Sequence, residues 1–200
     1  PAEAPHITGI SAMSRTLAAV VTASLLWFAP AAAEAAKDTL SMGMGLEPPH
    51  LDPTAGAAAA IDEVVYANVF EGLTRIGPDG TVLPGLAASW TISPDGLTYT
   101  FALRKGAKFH DGTDFEATDV VFSYERAAAP DSVNAKKGIF EPIAKVDAKD
   151  PHTAVVTLKR PTGNFLFDMG RGDAVIVAPE SAATNKSNPV GTGPFVFDSW

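Results

Sequence analysis

The chain has 200 residues, with 15 Lys and Arg against 23 Asp and Glu and a net charge of −8. This acidic balance argues against nucleic acid or an anionic membrane as partner, since both are met by a basic face. An apolar fraction of 46% is that of an ordinary folded domain, 17 Gly and 16 Pro point to a turn-rich fold instead of a helical bundle, and the absence of cysteine removes disulfides, thiolate metal sites and cysteine nucleophiles.

Residues 1–12 precede Met13 and read as an upstream extension. Met13-Ser14-Arg15, the apolar run from Leu17 to Ala29 and the small residues after Pro30 read as a secretory leader over 13–35, cleaved after Ala33 or Ala35. The run is shorter than the ~20 residues of a membrane span. A secreted acidic chain with no cysteine after its leader is expected in the periplasm without a lipid anchor.

Thr39 to Met44 alternates weakly and predicts a short strand. The three prolines of Glu47 to Pro53 then impose a loop. A helix is expected from Asp62, where Val65 and Val69, and Tyr66 and Phe70, repeat at i+4, with Gly72 as its C-terminal cap. Pro78-Asp79-Gly80 and Pro94-Asp95-Gly96 are turns. The second joins Ser89–Ser93 to Leu97–Arg104, where Tyr99, Phe101 and Leu103 alternate with Thr98, Thr100 and Ala102, as in a hairpin with one buried face. Ala117 to Ala129 predicts an amphipathic helix with Val120, Val121, Tyr124 and Ala128 on its stripe and Pro130 at its end. Further on come a strand at Ala154–Leu158, a short helix at Asn164–Met169 and a buried strand at Ala174–Ala178. A tight turn at Gly191–Pro194 leads into the strand-like Phe195-Val196-Phe197. Trp90, Phe101, Phe109 and Phe122 are expected in the core. The chain stops at Trp200 just as a strand begins, which reads as the N-terminal portion of a longer protein.

No catalytic constellation stands out. His6, His50, His110 and His152 form no pair with metal-ligand spacing, so neither metal nor cofactor is expected. Ser89, Ser123 and Ser181 lack the Gly-x-Ser-x-Gly setting of a hydrolase nucleophile. Gly191-Thr192-Gly193 is followed by Pro194, not by the Lys-Ser/Thr of a phosphate loop. Asp114, Glu116 and Asp119 gather at a helix start, where carboxylates offset the helix dipole.

Several segments together carry a resemblance: Tyr66-Ala67-Asn68-Val69-Phe70-Glu71-Gly72-Leu73-Thr74-Arg75, Leu83-Pro84-Gly85-Leu86-Ala87-Ala88-Ser89-Trp90, Asp95 to Gly106, Lys108-Phe109-His110-Asp111-Gly112-Thr113, Asp119-Val120-Val121-Phe122-Ser123 and Pro189 to Phe195. In this order the chain resembles the peptide/nickel-type (family 5) extracytoplasmic solute-binding proteins of ABC importers over nearly all of 38–200. One departure is Glu116 at a helix cap where the family often has Thr.

The resemblance implies an α/β fold, part of a two-lobed periplasmic-binding-protein clamshell (type II, cluster C) truncated after its first third. It implies a first part of domain I over 36–75, domain II over 76–173 and a return to domain I over 174–200. The implied function is capture of a peptide or similar small solute by a monomer that delivers it to the inner-membrane permease subunits, without catalysis. Where the chain crosses between domains, Gly170, Arg171, Gly172 and Asp173 are the first binding candidates: glycine admits close backbone approach and Arg171 offers a planar fork for a carboxylate. His50 and Asp52 are the second. The rival readings are a secreted hydrolase using Asp114, Glu116 and Asp119, a periplasmic partner of a chemoreceptor, and a fragment with no function of its own.

Overall fold

The computed structural model describes residues 39–200; the extension 1–12 and the leader 13–35 lie outside the described residues. Residues 39–44 form no strand. Residues 44–200 make one packed unit. Asp52 opens a short 3-10 turn, Pro53–Ala55, by accepting the Thr54 N–H at 2.9 Å. Helix α1 (Ala59–Val65) starts three residues before Asp62 and ends well short of Gly72. Ala67 takes a φ of 59°, in the left-handed region, and reverses the chain. The N–H groups of Val69 and Phe70 both donate to the Val65 carbonyl at 2.9 Å, so the i+4 repeat there belongs to a turn and not to a longer helix. Gly72 bridges to Val175, and a Cβ there would come within 2.7 Å of the Met169 carbonyl oxygen.

Strands β1 (Thr74–Ile76) and β2 (Val82–Pro84) form a hairpin about Pro78-Asp79-Gly80. Strands β3 (Ala87–Ile92) and β4 (Thr98–Leu103) follow, joined where Gly96, at φ 69°, donates its N–H to Ser93 at 2.8 Å. Helix α2 (Ala117–Ala128) begins with the Asp119 carboxylate accepting the Glu116 N–H at 2.8 Å. Strands β5 (Ile143–Asp150) and β6 (Thr153–Leu158) and the single turn of α3 (Phe165–Asp168) follow, with 3-10 turns at Lys137–Phe140 and Gly172–Ala174.

The four long strands form one antiparallel sheet in the order β3-β4-β6-β5. Period-two alternation puts Tyr99, Phe101 and Leu103 of β4 on the same buried face as Ala154, Val156 and Leu158 of β6. The register sets Tyr99 opposite Val156, and Val156 opposite Val146 of β5. Helix α2 covers this face with Val120, Tyr124 and Ala127, which follow the helical repeat. Ala128 is exposed and Val121 only half-buried, so the stripe runs one residue away from the expected one. Phe101 and Phe109 are core residues, while Trp90 and Phe122 are partly buried against the core.

The segment 174–178 is buried on both sides. Ala174, Ile176 and Ala178 join the core under the sheet, and Val175 and Val177 join a second cluster with Leu51, Ile61, Val65 and Phe70. Side chains thus alternate as in a strand, but the ladder is replaced by isolated bonds. Ile176 N–H donates to the Glu71 carbonyl at 2.9 Å, and the Ser123 hydroxyl accepts the Val177 N–H at 3.0 Å and donates to the Val177 carbonyl at 3.2 Å. The last segment crosses back over residues 68–69: Gly193 N–H donates to Val69 and Phe195 N–H to Asn68, at 2.9 and 3.0 Å. Phe195–Phe197 is not a strand, and Phe195 and Val196 are exposed.

Candidate functional site

A cavity of about 240 Å³ opens where the start of α1 meets the segment after α3. One wall is small, Gly56 to Ala59 and Ala135; the other carries Asp62, Lys136, Arg171 and Asp173. Short side chains on one wall and charges on the other leave room for a polar guest.

Two of the four expected crossing residues, Arg171 and Asp173, line this cavity, and Gly170 and Gly172 are held beside it. The Gly170 carbonyl accepts the Tyr66 hydroxyl. Gly172 packs against Asp62: a Cβ there would lie 2.6 Å from the Asp62 carboxylate, so any larger residue would have to push that side-chain end aside. Asp173 is buried, and its backbone carbonyl accepts from the Asn134 amide at 2.8 Å. The Arg171 Nε is buried with no hydrogen-bond partner, 3.8 Å from the nearer Asp173 oxygen. Burial foremost pushes the carboxyls of Asp62, Asp168 and Asp173 above their ordinary value, and the Arg171 guanidinium pulls each back. Asp173 also pushes Asp62 upward by repulsion. Arg171 therefore sits among three carboxylates of its own chain.

Neither His50 nor Asp52 lines this cavity. Asp52 is 1% exposed, accepts from the Thr54 backbone and hydroxyl at 2.9 and 2.6 Å, and faces Arg126 at 3.5 Å. Arg126 also donates to the Thr54 hydroxyl at 2.7 Å. His50 accepts the Asp52 N–H on Nδ1 at 3.2 Å, and its ring backs Gly56, where a Cβ would come within 2.7 Å of Nε2. It supports the small wall of the cavity from behind. Asp62 and Lys136 are the lining residues that the sequence reading did not single out. Asp62 stood out only as a helix start, and Lys136 carried no local signal.

The other acids and hydroxyls that drew attention are engaged separately. Asp114 pairs with exposed Lys108 at 2.5 Å, Asp119 holds the Glu116 backbone, and Ser123 holds Val177. Asp111 accepts from the Thr113 N–H and hydroxyl at 3.0 and 2.6 Å, which lowers its pKa.

The sequence profile of the bacterial extracellular solute-binding proteins, family 5 (middle region), matches residues 81–200. The chain belongs to this family. Among its relatives is the glutathione-binding protein GsiB of Salmonella choleraesuis (strain SC-B67), 35% identical over 188 residues that cover 92% of this chain and 36% of GsiB. A solved structure of similar fold is that of the PBP AgaA of A. tumefaciens R10, in complex with agropinic acid, with a TM-score of 0.72 and 34% identity over 77% of this chain and 32% of AgaA. Another is the ABC transporter-associated periplasmic binding protein DppA of Helicobacter pylori, in complex with the peptide STSA, with a TM-score of 0.66 and 31% identity over 76% and 35% of the two chains. The chain spans about a third of the length of these relatives. Its fold is accordingly mixed α/β, a partial domain of the type II periplasmic-binding-protein architecture.

Proposed function

We propose that the chain is part of the periplasmic solute receptor of an ABC importer, which captures a peptide or similar small solute and hands it to the inner-membrane permease. Its family membership over residues 81–200 carries this reading. The relatives in hand are described as binding glutathione, agropinic acid and the peptide STSA, and a small polar solute with several hydrogen-bonding groups is common ground for them. The division into a first part of domain I (36–75), domain II (76–173) and a return (174–200) belongs to the same proposal. It is supported by two apolar clusters, one under the four-stranded sheet and one around Val65, Phe70 and Val177. The cavity beside Gly170 to Asp173 is the part of the solute site that we assign to this chain, with His50 and Asp52 behind its small wall. A solute that binds only one arrangement of the lobes shifts the protein toward it, so no covalent chemistry is needed.

The test is a thermal-shift and calorimetric screen of the full-length protein against short peptides, nickel chelates and sugars. Peptides are expected to raise the melting temperature, a ligand at a hundred times its Kd adding about 2.7 kcal/mol. A shift with sugars or nickel chelates alone overturns the peptide reading, and no shift with any of the three overturns solute capture.

A further inference from the structure

Three Asp-Gly steps, Asp79-Gly80, Asp95-Gly96 and Asp111-Gly112, sit at chain reversals of one design, with the aspartates exposed. In each the glycine has a positive φ and its N–H donates to a carbonyl three residues back: Gly80 to Gly77 at 2.9 Å, Gly96 to Ser93 at 2.8 Å and Gly112 to Phe109 at 2.9 Å. In each the aspartate Oδ1 accepts a hydroxyl and a backbone N–H, both from Thr81 at Asp79, from Ser93 and Leu97 at Asp95, and both from Thr113 at Asp111. The hydroxyl bonds foremost, with the N–H bonds, hold the three carboxyls below their ordinary 3.8. Glycine places no side chain beside its own nitrogen, so an Asp-Gly step gives that nitrogen easy reach of the aspartate Cγ. The closed turn prevents the attack. It engages the nitrogen's proton and keeps the carboxyl ionised, without the hydroxyl that must leave. Ring closure therefore waits on local opening of the turn.

We infer that Asp79-Gly80 is a modification site, which converts spontaneously to isoaspartate ahead of the other two Asp-Gly steps. The Gly80 nitrogen bonds to Asp79 Cγ, and the amide proton and the carboxyl hydroxyl depart as water, which leaves a five-membered succinimide. Water then adds to the Asp79 main-chain carbonyl carbon, whose bond to the Gly80 nitrogen breaks. The chain now runs through Cβ and Cγ, with no net change of mass. The three turns differ in what holds them shut. Strands β1 and β2 form a two-stranded sheet of three residue pairs, a pairing that is marginal on its own. A Cβ on Gly80 would meet no atom of the described residues within 4 Å, so the tip stands in open space. Gly96 instead backs onto Pro161, which a Cβ there would meet at 3.5 Å, and the Leu158 N–H donates to the Leu97 carbonyl at 2.8 Å. That turn opens only by pulling on the four-stranded sheet. The turn at Asp111 is clasped by the His110 ring to Gly191 and Gly193. An extra main-chain methylene at residue 79 disturbs the register of Thr74 with Pro84, and the Thr74 hydroxyl holds the Leu166 carbonyl at 2.6 Å beside Gly170.

The experiment ages the full-length protein near neutral pH, native and in urea. Tryptic peptides 76–104 and 109–126 are then mapped by electron-transfer fragmentation, which locates isoaspartate at a single residue. In the native protein isoaspartate is expected to accumulate at Asp79 about fivefold or more faster than at Asp95 or Asp111, following the populations of the open turns. In urea, where no turn is held closed, the three steps are expected to differ by less than about twofold. Equal native yields at the three steps overturn the inference. So does native isoaspartate that favours Asp95 or Asp111, or that is absent from all three while it forms in urea. A native preference for Asp79 that persists undiminished in urea also overturns it, since the local sequence and not the hairpin then sets the rate.

Discussion

His110 and Gly193 are joined across 83 positions of sequence: the imidazole Nε2 lies 2.8 Å from the Gly193 carbonyl oxygen. A carbonyl can only accept, so Nε2 carries the proton and donates. Nδ1 is then free to accept, and it takes the Gly191 N–H at 3.4 Å. The His110 N–H donates to the Gly191 carbonyl at 2.9 Å. One neutral histidine in the turn before α2 thus holds both ends of the segment that crosses back over Asn68 and Val69. His110→Ala is expected to lower stability by about 1–3 kcal/mol through the two lost side-chain bonds. His110→Gln, whose amide keeps one donor and one acceptor, recovers part of this. Urea unfolding midpoints measure both, and an unchanged midpoint for the alanine variant would show that the clasp carries no energy.

The same crossing depends on Gly191. A Cβ there would overlap the Val69 carbonyl oxygen, a backbone atom that cannot move aside as a side-chain end can. Gly191→Ala is expected to cost about 1–3 kcal/mol of overpacking. Amide hydrogen exchange should quicken at Gly193 and Phe195, whose N–H groups bond to Val69 and Asn68. Wild-type protection at both amides would contradict the close approach.

Asp52, Thr54 and Arg126 tie the 3-10 turn before α1 to helix α2. Asp52 is buried and Arg126 is partly exposed, so removing the acid leaves a cation that water can reach. Asp52→Ala is expected to cost about 2 kcal/mol or more, from two lost bonds to Thr54 and one partly screened ion pair. Thermal melts at low and high salt separate these parts: the hydrogen-bond loss persists in salt and the ionic share fades. A loss that vanishes wholly in salt would assign the entire effect to the ion pair.

Asp119 gives a pH dependence with a defined sign. Burial foremost raises its carboxyl above the ordinary 3.8, against the Glu116 N–H, which lowers it. A carboxyl raised on folding favours the folded state while protonated. Its contribution is complete below pH 3.8 and is lost as pH rises through the higher folded value. Asn at this position keeps an acceptor for the Glu116 N–H and never ionises. Asp119→Asn is therefore expected to raise the melting temperature relative to wild type at pH 7 and to do so less at pH 3.5. An equal shift at both values would assign the effect to something other than ionisation. Asp111, held low by Thr113, has the opposite sign: its contribution is present above the ordinary 3.8 and lost as pH falls.

Local chemistry determined several elements without help from the fold. Pro94-Asp95-Gly96 and the alternation of Tyr99, Phe101 and Leu103 are enough for the β3–β4 hairpin, because a turn residue with positive φ and a period of two are properties of neighbouring residues. Val120 and Tyr124 with Pro130 are enough for α2. Strand β5 escaped notice because it is an edge strand with one buried side chain, Val146, among Lys and Asp. The end of α1 was set by Ala67 entering the left-handed region, which only the packing of Val69 and Phe70 beneath it makes worthwhile. Burial of 174–178 was legible from its apolar residues, but its bonding was not, since a hydroxyl 54 positions away, that of Ser123, takes the place of a neighbouring strand.

The candidate site divides in the same way. Gly170-Arg171-Gly172-Asp173 drew attention through residue type alone: flexible backbone beside a planar cation. Its neighbour Asp62 was not legible in the same way, because helix α1 brings it from 109 positions before Arg171 to within a Cβ's reach of Gly172. The sequence determines which groups can carry charge. Only the tertiary structure determines which charges share a buried corner, and there desolvation and mutual repulsion, both dependent on distance through space, set how readily each group ionises.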